Sequence, residues 1–204
     1  SYAFLLENTI KYNKNYQYDI SGTFHYLPSS NQYLNRYVAI DDDLLAAVGT
    51  YFNDTNVEYT IKIYVNDELK LVQNGLSPFP GFHTVKLDSY LPIKEGDEFA
   101  VEINSNCIPA LSESRQHYIQ GTSQAMVDGE WDNITDDGVV CCIKAYTVDD
   151  DTVIINNKDI AVDYAGGKYF TVQVVTADGH AVGEGITVKF TINGKNAYVT
   201  TDND

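Results

Sequence analysis

An all-β, antiparallel fold is what this chain of 204 residues predicts, and three observations predict it. From 59 to 65 the letters Y-T-I-K-I-Y-V alternate, with Tyr59, Ile61, Ile63 and Val65 on one side and Thr60, Lys62 and Tyr64 on the other. That period of two is what a half-buried strand requires. The composition agrees, with 16 tyrosines, 14 glycines and many Val, Ile and Thr residues, while long runs of Ala, Leu, Glu and Lys at helical spacing are missing. Asn, Asp and Gly clusters recur between the apolar runs, where turns would fall.

Taken in order, residues 1–40 read as short aromatic strands separated by polar loops. Tyr12, Tyr16 and Tyr18 at even spacing would put a row of rings on one face, as sheet cover or as a sugar-stacking surface. Residues 46–52 are a second β-prone run, and F-N-D-T-N-V between it and 59–65 predicts a hairpin. Residues 66–68 form a tight polar turn into 69–72, completing a three-strand meander. Further on, H-T-V-K-L should bury Val85 and Leu87. E-F-A-V-E-I should bury Phe99, Val101 and Ile103 and leave Glu98, Ala100 and Glu102 outside. Residues 107–138 read as a long irregular loop, a feature that is usually functional or mobile. A closing strand over 139–146 precedes the acidic stretch V-D-D-D-T, and the composition then shifts to cleaner alternation with glycine turns. A domain boundary is expected near Val148, giving domains 1–147 and 148–204.

The formal net charge of −16 repels phosphate backbones and anionic membranes, so no nucleic-acid partner is expected. No stretch reaches the ~20 apolar residues of a membrane helix, so no membrane insertion is expected, and the start S-Y-A-F-L-L-E-N lacks the basic region of a signal peptide. The opening Ser1 and the closing T-D-N-D suggest a fragment, whose further domains would carry the cellular address.

Residues able to do chemistry are few. Cys107, Cys141 and Cys142 read as buried thiols, with one bridge from Cys107 to either neighbour as the alternative; one of the adjacent pair should face the core and the other outward. Catalytic motifs of the HExxH, GxSxG and Walker types are missing, and a Cys107–His117 nucleophile and base or a carboxylate pair would be the residual routes to hydrolysis. Aspartates cluster at 41–43, 136–137 and 149–151. They are solvated turns unless loops bring Asp41, Asp43 and Asp136 together as oxygen ligands for a hard cation such as Ca2+; no other cofactor is implied. Asn53 and Asn133 open N-x-T sequons. Trp131, the sole tryptophan, with Tyr118 and Arg115 upstream, is the candidate ligand-binding set, since an aromatic ring with polar neighbours suits stacking on a sugar. The alternative is that Trp131 plugs the end of the sandwich.

Two resemblances extend this reading. The N-Y-Q-Y-D opening at 15–19, L-A-A-V-G-T-Y at 45–51, Y-T-I-K-I-Y at 59–64 and the G-x-H-T-V-x-L pattern at 81–87 resemble the lectin-like domain that follows papain-like peptidase domains in archaeal and bacterial surface proteins. The resemblance implies an antiparallel β-sandwich of jelly-roll or lectin-like type. The peptidase nucleophile has no counterpart, because Cys107 lies in N-S-N-C-I-P. In the second domain, the V-x-V strand at 172–175, D-G-H-A-V at 178–182, G-x-x-V-x-F at 185–190 and the T-T-D step at 200–204 resemble the front half of a bacterial-type immunoglobulin-like repeat of cell-surface adhesins. A complete repeat takes about 100 residues, so this one is expected to be truncated. These resemblances imply a non-catalytic fragment of an extracellular, adhesin-like protein that binds a cell-surface carbohydrate or protein ligand on a projecting stalk. The alternative is a structural companion of an upstream cysteine peptidase.

Overall fold

The computed structural model describes residues 12–27, 30–155, 170–192 and 194–202. Among the described residues every pair of strands is antiparallel, with strands numbered along the chain. A four-stranded sheet runs β1 (Lys14–Gln17), β13 (Lys144–Asp149), β4 (Asp43–Phe52), β7 (Gly81–Ile93). A six-stranded sheet runs β11 (Glu130–Asn133), β10 (Ser123–Val127), β3 (Gln32–Val38), β8 (Glu98–Asn104), β5 (Val57–Val65), β6 (Glu68–Ser77). A three-stranded sheet runs β12 (Val139–Cys141), β9 (Ile108–Ser112), β2 (Thr23–Leu27). The main core lies between the six-stranded sheet and the other two. Tyr33, Ile61, Ile63, Phe99, Val101 and Ile103 come from one side, and Leu45, Val48, Leu87, Ile108, Ala110 and Cys141 from the other.

The apolar positions of the alternation in 59–65 and 98–103 face the core as expected, with Ile61, Ile63, Phe99, Val101 and Ile103 fully buried, whereas Ala100 and Glu102, expected outside, are buried as well. The β5–β6 hairpin is closed by Asn66 and Asp67, both at positive φ (50° and 64°), the two-residue turn whose twist matches the strands. The expected hairpin between 46–52 and 59–65 does not form. β4 pairs with β13 and β7, while β5 pairs with β6 and β8, so residues 53–56 cross from one sheet to the other. The cause is burial: β4 is covered on both faces and sits inside its own sheet. The expected loop at 107–138 also contains three strands, β9, β10 and β11, and the short 3-10 turn Ile134–Asp137. Nor do the tyrosines share one face. Tyr16 and Tyr18 pack toward the main core, whereas Tyr12 stacks on Tyr146 at 4.9 Å.

The main design problem is a break at Cys142–Ile143, where the chain leaves β12 in the three-stranded sheet and enters β13 in the four-stranded one. Backbone groups released there are buried and need partners. Side chains supply several of them. Asn35 donates to the Cys141 carbonyl at 3.0 Å, Tyr37 to the Ile143 carbonyl at 2.8 Å and Thr50 to the Cys142 carbonyl at 3.1 Å. The Cys141 N–H donates to Ser123 Oγ at 3.1 Å, and that hydroxyl donates to Asn35 Oδ1. All four side chains belong to buried residues.

Beyond β13, β14 (Val153–Ile155) pairs with β15 (Gln173–Val175), and β16 (Thr187–Ile192) pairs with β17 (Lys195–Thr200). This segment shares a second apolar cluster with the outer side of the four-stranded sheet, where Val174, Val182 and Val188 meet Leu44, Ala46 and Tyr90. Tyr90 also donates its N–H to the Ala181 carbonyl and accepts from the Gly183 N–H, a short parallel bridge on the free edge of β7. Among the described residues no helix is long and apolar enough to cross a membrane.

Removing the amide of Asn35 orphans the Cys141 carbonyl and the Ser123 hydroxyl, at about 1–3 kcal/mol per buried group. Asn35→Ala is therefore expected to lower unfolding stability by ~3 kcal/mol in urea titration. A loss below ~0.5 kcal/mol would show that the break does not depend on it.

Candidate ligand-binding face

Directly paired residues of an antiparallel sheet share a face, so the register shows what the six-stranded sheet presents to solvent. One row reads Gln124–Leu34–Glu102–Lys62–Val72, and the next reads Gln32–Asn104–Thr60–Asn74. Trp131 pairs with Met126, two residues along from Gln124, and so stands on the same face. The separation from Glu102 is three strand spacings, roughly 14 Å at ~4.8 Å per strand.

At the centre of this face is a carboxylate that the sequence places outside and the structure buries. Glu102 is 4% exposed. Its Oε1 accepts from Gln32 Nε2 at 2.7 Å and Lys62 Nζ at 2.8 Å, and its Oε2 accepts from Tyr64 at 2.9 Å. Ala100, also expected outside, is 3% exposed on the same face. The hydrogen bond to Glu102 raises the Lys62 ammonium pKa, and burial followed by the same carboxylate raises that of the Tyr64 phenol. Lys62 remains about one-third exposed. The result is a charge-balanced polar patch whose side chains are fixed before any ligand arrives, which lowers the ordering cost of binding. Beside it lies a shallow groove of about 690 Å³, lined by Glu58, Tyr59, Thr60, Asn74, Leu76 and Asn104 together with Gly75. Thr60 donates to Asn74 Oδ1 at 2.7 Å within that groove.

The sequence-selected ligand residues are dispersed. Trp131 is 37% exposed on β11. Tyr118 packs against Leu111, Val140 and Cys142, and Arg115 has an exposed side chain while its N–H donates to the Ile20 carbonyl. Among the described residues neither is hydrogen-bonded to Trp131 or stacked on it. The β10–β11 hairpin that carries Trp131 turns at Asp128 and Gly129, both at positive φ. An Asp-Gly pair between two strand-like runs is the sequence signal that would have found it.

The aspartates have protein partners. Lys14 Nζ lies 3.3 Å from Asp41 and 2.8 Å from Asp43, and Asp43 also accepts from Thr147 at 2.9 Å. Asp136 accepts from Asn133 Nδ2 at 2.9 Å, in the short turn that Asn133 caps. Among the described residues no group of three or more His, Cys, Asp or Glu side chains is arranged to hold a metal ion. Of the two sequons, Asn53 is exposed and accepts from Asn106, whereas the Asn133 amide is engaged by Gly121, Thr135 and Asp136.

The cysteines are free and buried. Cys141 faces the main core and Cys142 faces a separate cluster with Leu111 and Val140, so the residue expected to point outward is covered as well. Burial pushes the Cys107 thiol up to about 11 and those of Cys141 and Cys142 further still. Such thiols are neutral and poorly nucleophilic near pH 7. His117 is exposed whereas Cys107 is buried, and among the described residues the two are not hydrogen-bonded.

A sequence profile of the family described as "Lectin like domain" matches residues 15–147. The chain belongs to the lectin-like domain family. Two solved structures share the fold of this lectin-like chain. One is the clostridial cysteine protease Cwp84 after propeptide cleavage, 15% identical with a TM-score of 0.54, covering 67% of this chain and 40% of that one. The other holds the cysteine protease and lectin-like domains of Cwp84, a surface-layer-associated protein of Clostridium difficile. It is again 15% identical at a TM-score of 0.54, covering 67% of this chain and 36% of that one. The chain thus spans well under half the length of either, and at this identity the likeness concerns the fold. A search of the curated proteins finds no match.

Because burial raises all three thiol pKa values above ~8.5, the stabilisation from keeping them neutral is complete below that pH and is lost as pH rises toward and beyond 11. At pH 8 the native protein should leave a thiol reagent unreacted, and the denatured protein should consume three equivalents. Fast labelling of any cysteine in the native state would contradict the described burial.

Proposed function

We propose that this chain is a non-catalytic lectin-like module of a cell-surface protein, holding a carbohydrate on the outer face of its six-stranded sheet. The observation that carries the reading is Glu102, a nearly buried carboxylate fixed by Gln32, Lys62 and Tyr64 in the middle of the outer face. Fixed amide, ammonium and hydroxyl groups beside a shallow groove suit sugar hydroxyls, and Trp131 at the edge of the face offers a ring for the apolar side of a pyranose. The net charge of −16 disfavours polyanionic glycans, so a neutral sugar is the fitting class. Residues 148–204 would be the opening half of an immunoglobulin-like stalk repeat, set against the module through Tyr90.

A second reading has support of its own: the chain is the structural companion of a cysteine peptidase domain. The lectin-like fold occurs beside a cysteine protease in the Cwp84 structures. This chain also exposes a run of rings, with Phe24, Tyr51 and Phe82 at 4.9 and 5.1 Å centroid spacing and both phenylalanines about 40% exposed. That patch would seat a neighbouring domain.

On a glycan array the first reading expects retention of neutral glycans, weakened at least tenfold by Trp131→Ala or Lys62→Ala and unchanged by Phe82→Ser. No retention of any glycan, together with loss of peptidase-domain association in Phe82→Ser, would replace it with the second.

A further inference from the structure

Asp19 and Lys144 form the least satisfied ion pair among the described residues. Lys144 opens β13, and Asp19 lies two residues beyond the end of β1, whose Gln17 pairs with Lys144. Lys144 Nζ is 2.5 Å from Asp19 Oδ2, and the two side chains are 14% and 4% exposed. The second oxygen, Asp19 Oδ1, is buried without a hydrogen-bond partner among the described residues. The other buried carboxylates differ. Glu102 has three donors, and Asp43 has Lys14 and Thr147.

The surroundings are aromatic. The Lys144 ammonium sits 5.8 Å from the Phe82 ring centroid. Gly49, paired directly with Lys144, makes room for the cover: a Cβ there would come within 2.7 Å of Phe82 and 3.1 Å of Tyr146. Tyr51 and Tyr146 both feel the Asp19 charge, and the Cys142 thiol adjoins the carboxyl. Two charges in such a place pay a large desolvation cost, and burial raises the Asp19 pKa against the opposing pull of Lys144. Within such a contact, one proton passing from nitrogen to oxygen suffices to set an amine against an acid, the form from which an amide condenses.

We propose that Lys144 and Asp19 condense into an intramolecular isopeptide bond joining the first and last strands of the sandwich. The amine lone pair attacks Asp19 Cγ and forms the C–N bond. A proton passes from nitrogen to a carboxyl oxygen, one C–O bond breaks, and that oxygen leaves as water with two protons. The ammonium and carboxylate become an amide and one water, and no oxidant or further reactant enters. Fixed contact replaces a bimolecular encounter, an advantage that reaches effective molarities of ~10⁵–10⁸ M. The Cys142 thiol, held protonated by burial, adjoins the carboxyl and adds no further charge to the contact. The bond would close a loop of 125 sequence positions, so tension on the ends of the module would not reach the strands within it.

The test is mass spectrometry of the denatured, reduced protein. The proposal expects a mass one water below that calculated from sequence, and a digest in which the peptides containing 19 and 144 form one branched species. Lys144→Arg and Asp19→Ala should each restore the full mass. A full-mass wild type would overturn the proposal, as would a water loss mapped elsewhere, such as a succinimide at Asp128.

Discussion

The architecture depends on how one buried break in the hydrogen-bond ladder is satisfied. Between β12 and β13 the chain changes sheets, and its backbone loses strand partners at a point with no access to water. Asn35, Tyr37, Thr50 and Ser123 restore them from neighbouring strands. An orphaned buried group would cost a substantial part of a typical domain's ~5–15 kcal/mol. Each partner is therefore held to its place, and with it the alignment of the two sides of the sandwich. Tyr33, which donates to Thr50 Oγ1 at 3.0 Å because the Thr50 proton is committed to Cys142, couples the same network to the centre of β3.

The break also divides the molecule functionally. On its outer side the four-stranded sheet is covered twice, by the aromatic group around Cys142 and Lys144 and by the apolar side chains of the 172–190 segment. β4 is consequently buried on both faces. The outer face of the six-stranded sheet carries the fixed Gln32–Lys62–Tyr64–Glu102 group.

Much of this was legible in the sequence where a rule is local. Period-two alternation located β5 and β8 together with their buried residues, and Asn66-Asp67 located the turn between β5 and β6. The failures involve partners far apart in the chain. The Asn-rich stretch after Phe52 signals a turn but does not say whether the next strand pairs or crosses, because that depends on which neighbours cover β4. Glu102 reads as a solvated residue because its three partners lie 70, 40 and 38 positions away. Trp131 was picked out by its chemistry, yet its place on the same face as Glu102 follows from the registers of four strands. The buried Asp19–Lys144 pair, 125 positions apart, left no local trace.

The proposed ligand-binding surface is the outer face of the six-stranded sheet. The direct measurement is amide chemical-shift mapping while a neutral cell-wall oligosaccharide digest is titrated into the labelled protein. Shifts should concentrate on the backbone of Gln32, Thr60, Lys62, Glu102 and Trp131 and leave β4 and β13 unmoved. Shifts centred instead on Phe24, Tyr51 and Phe82, or no saturable shift at all, would contradict it.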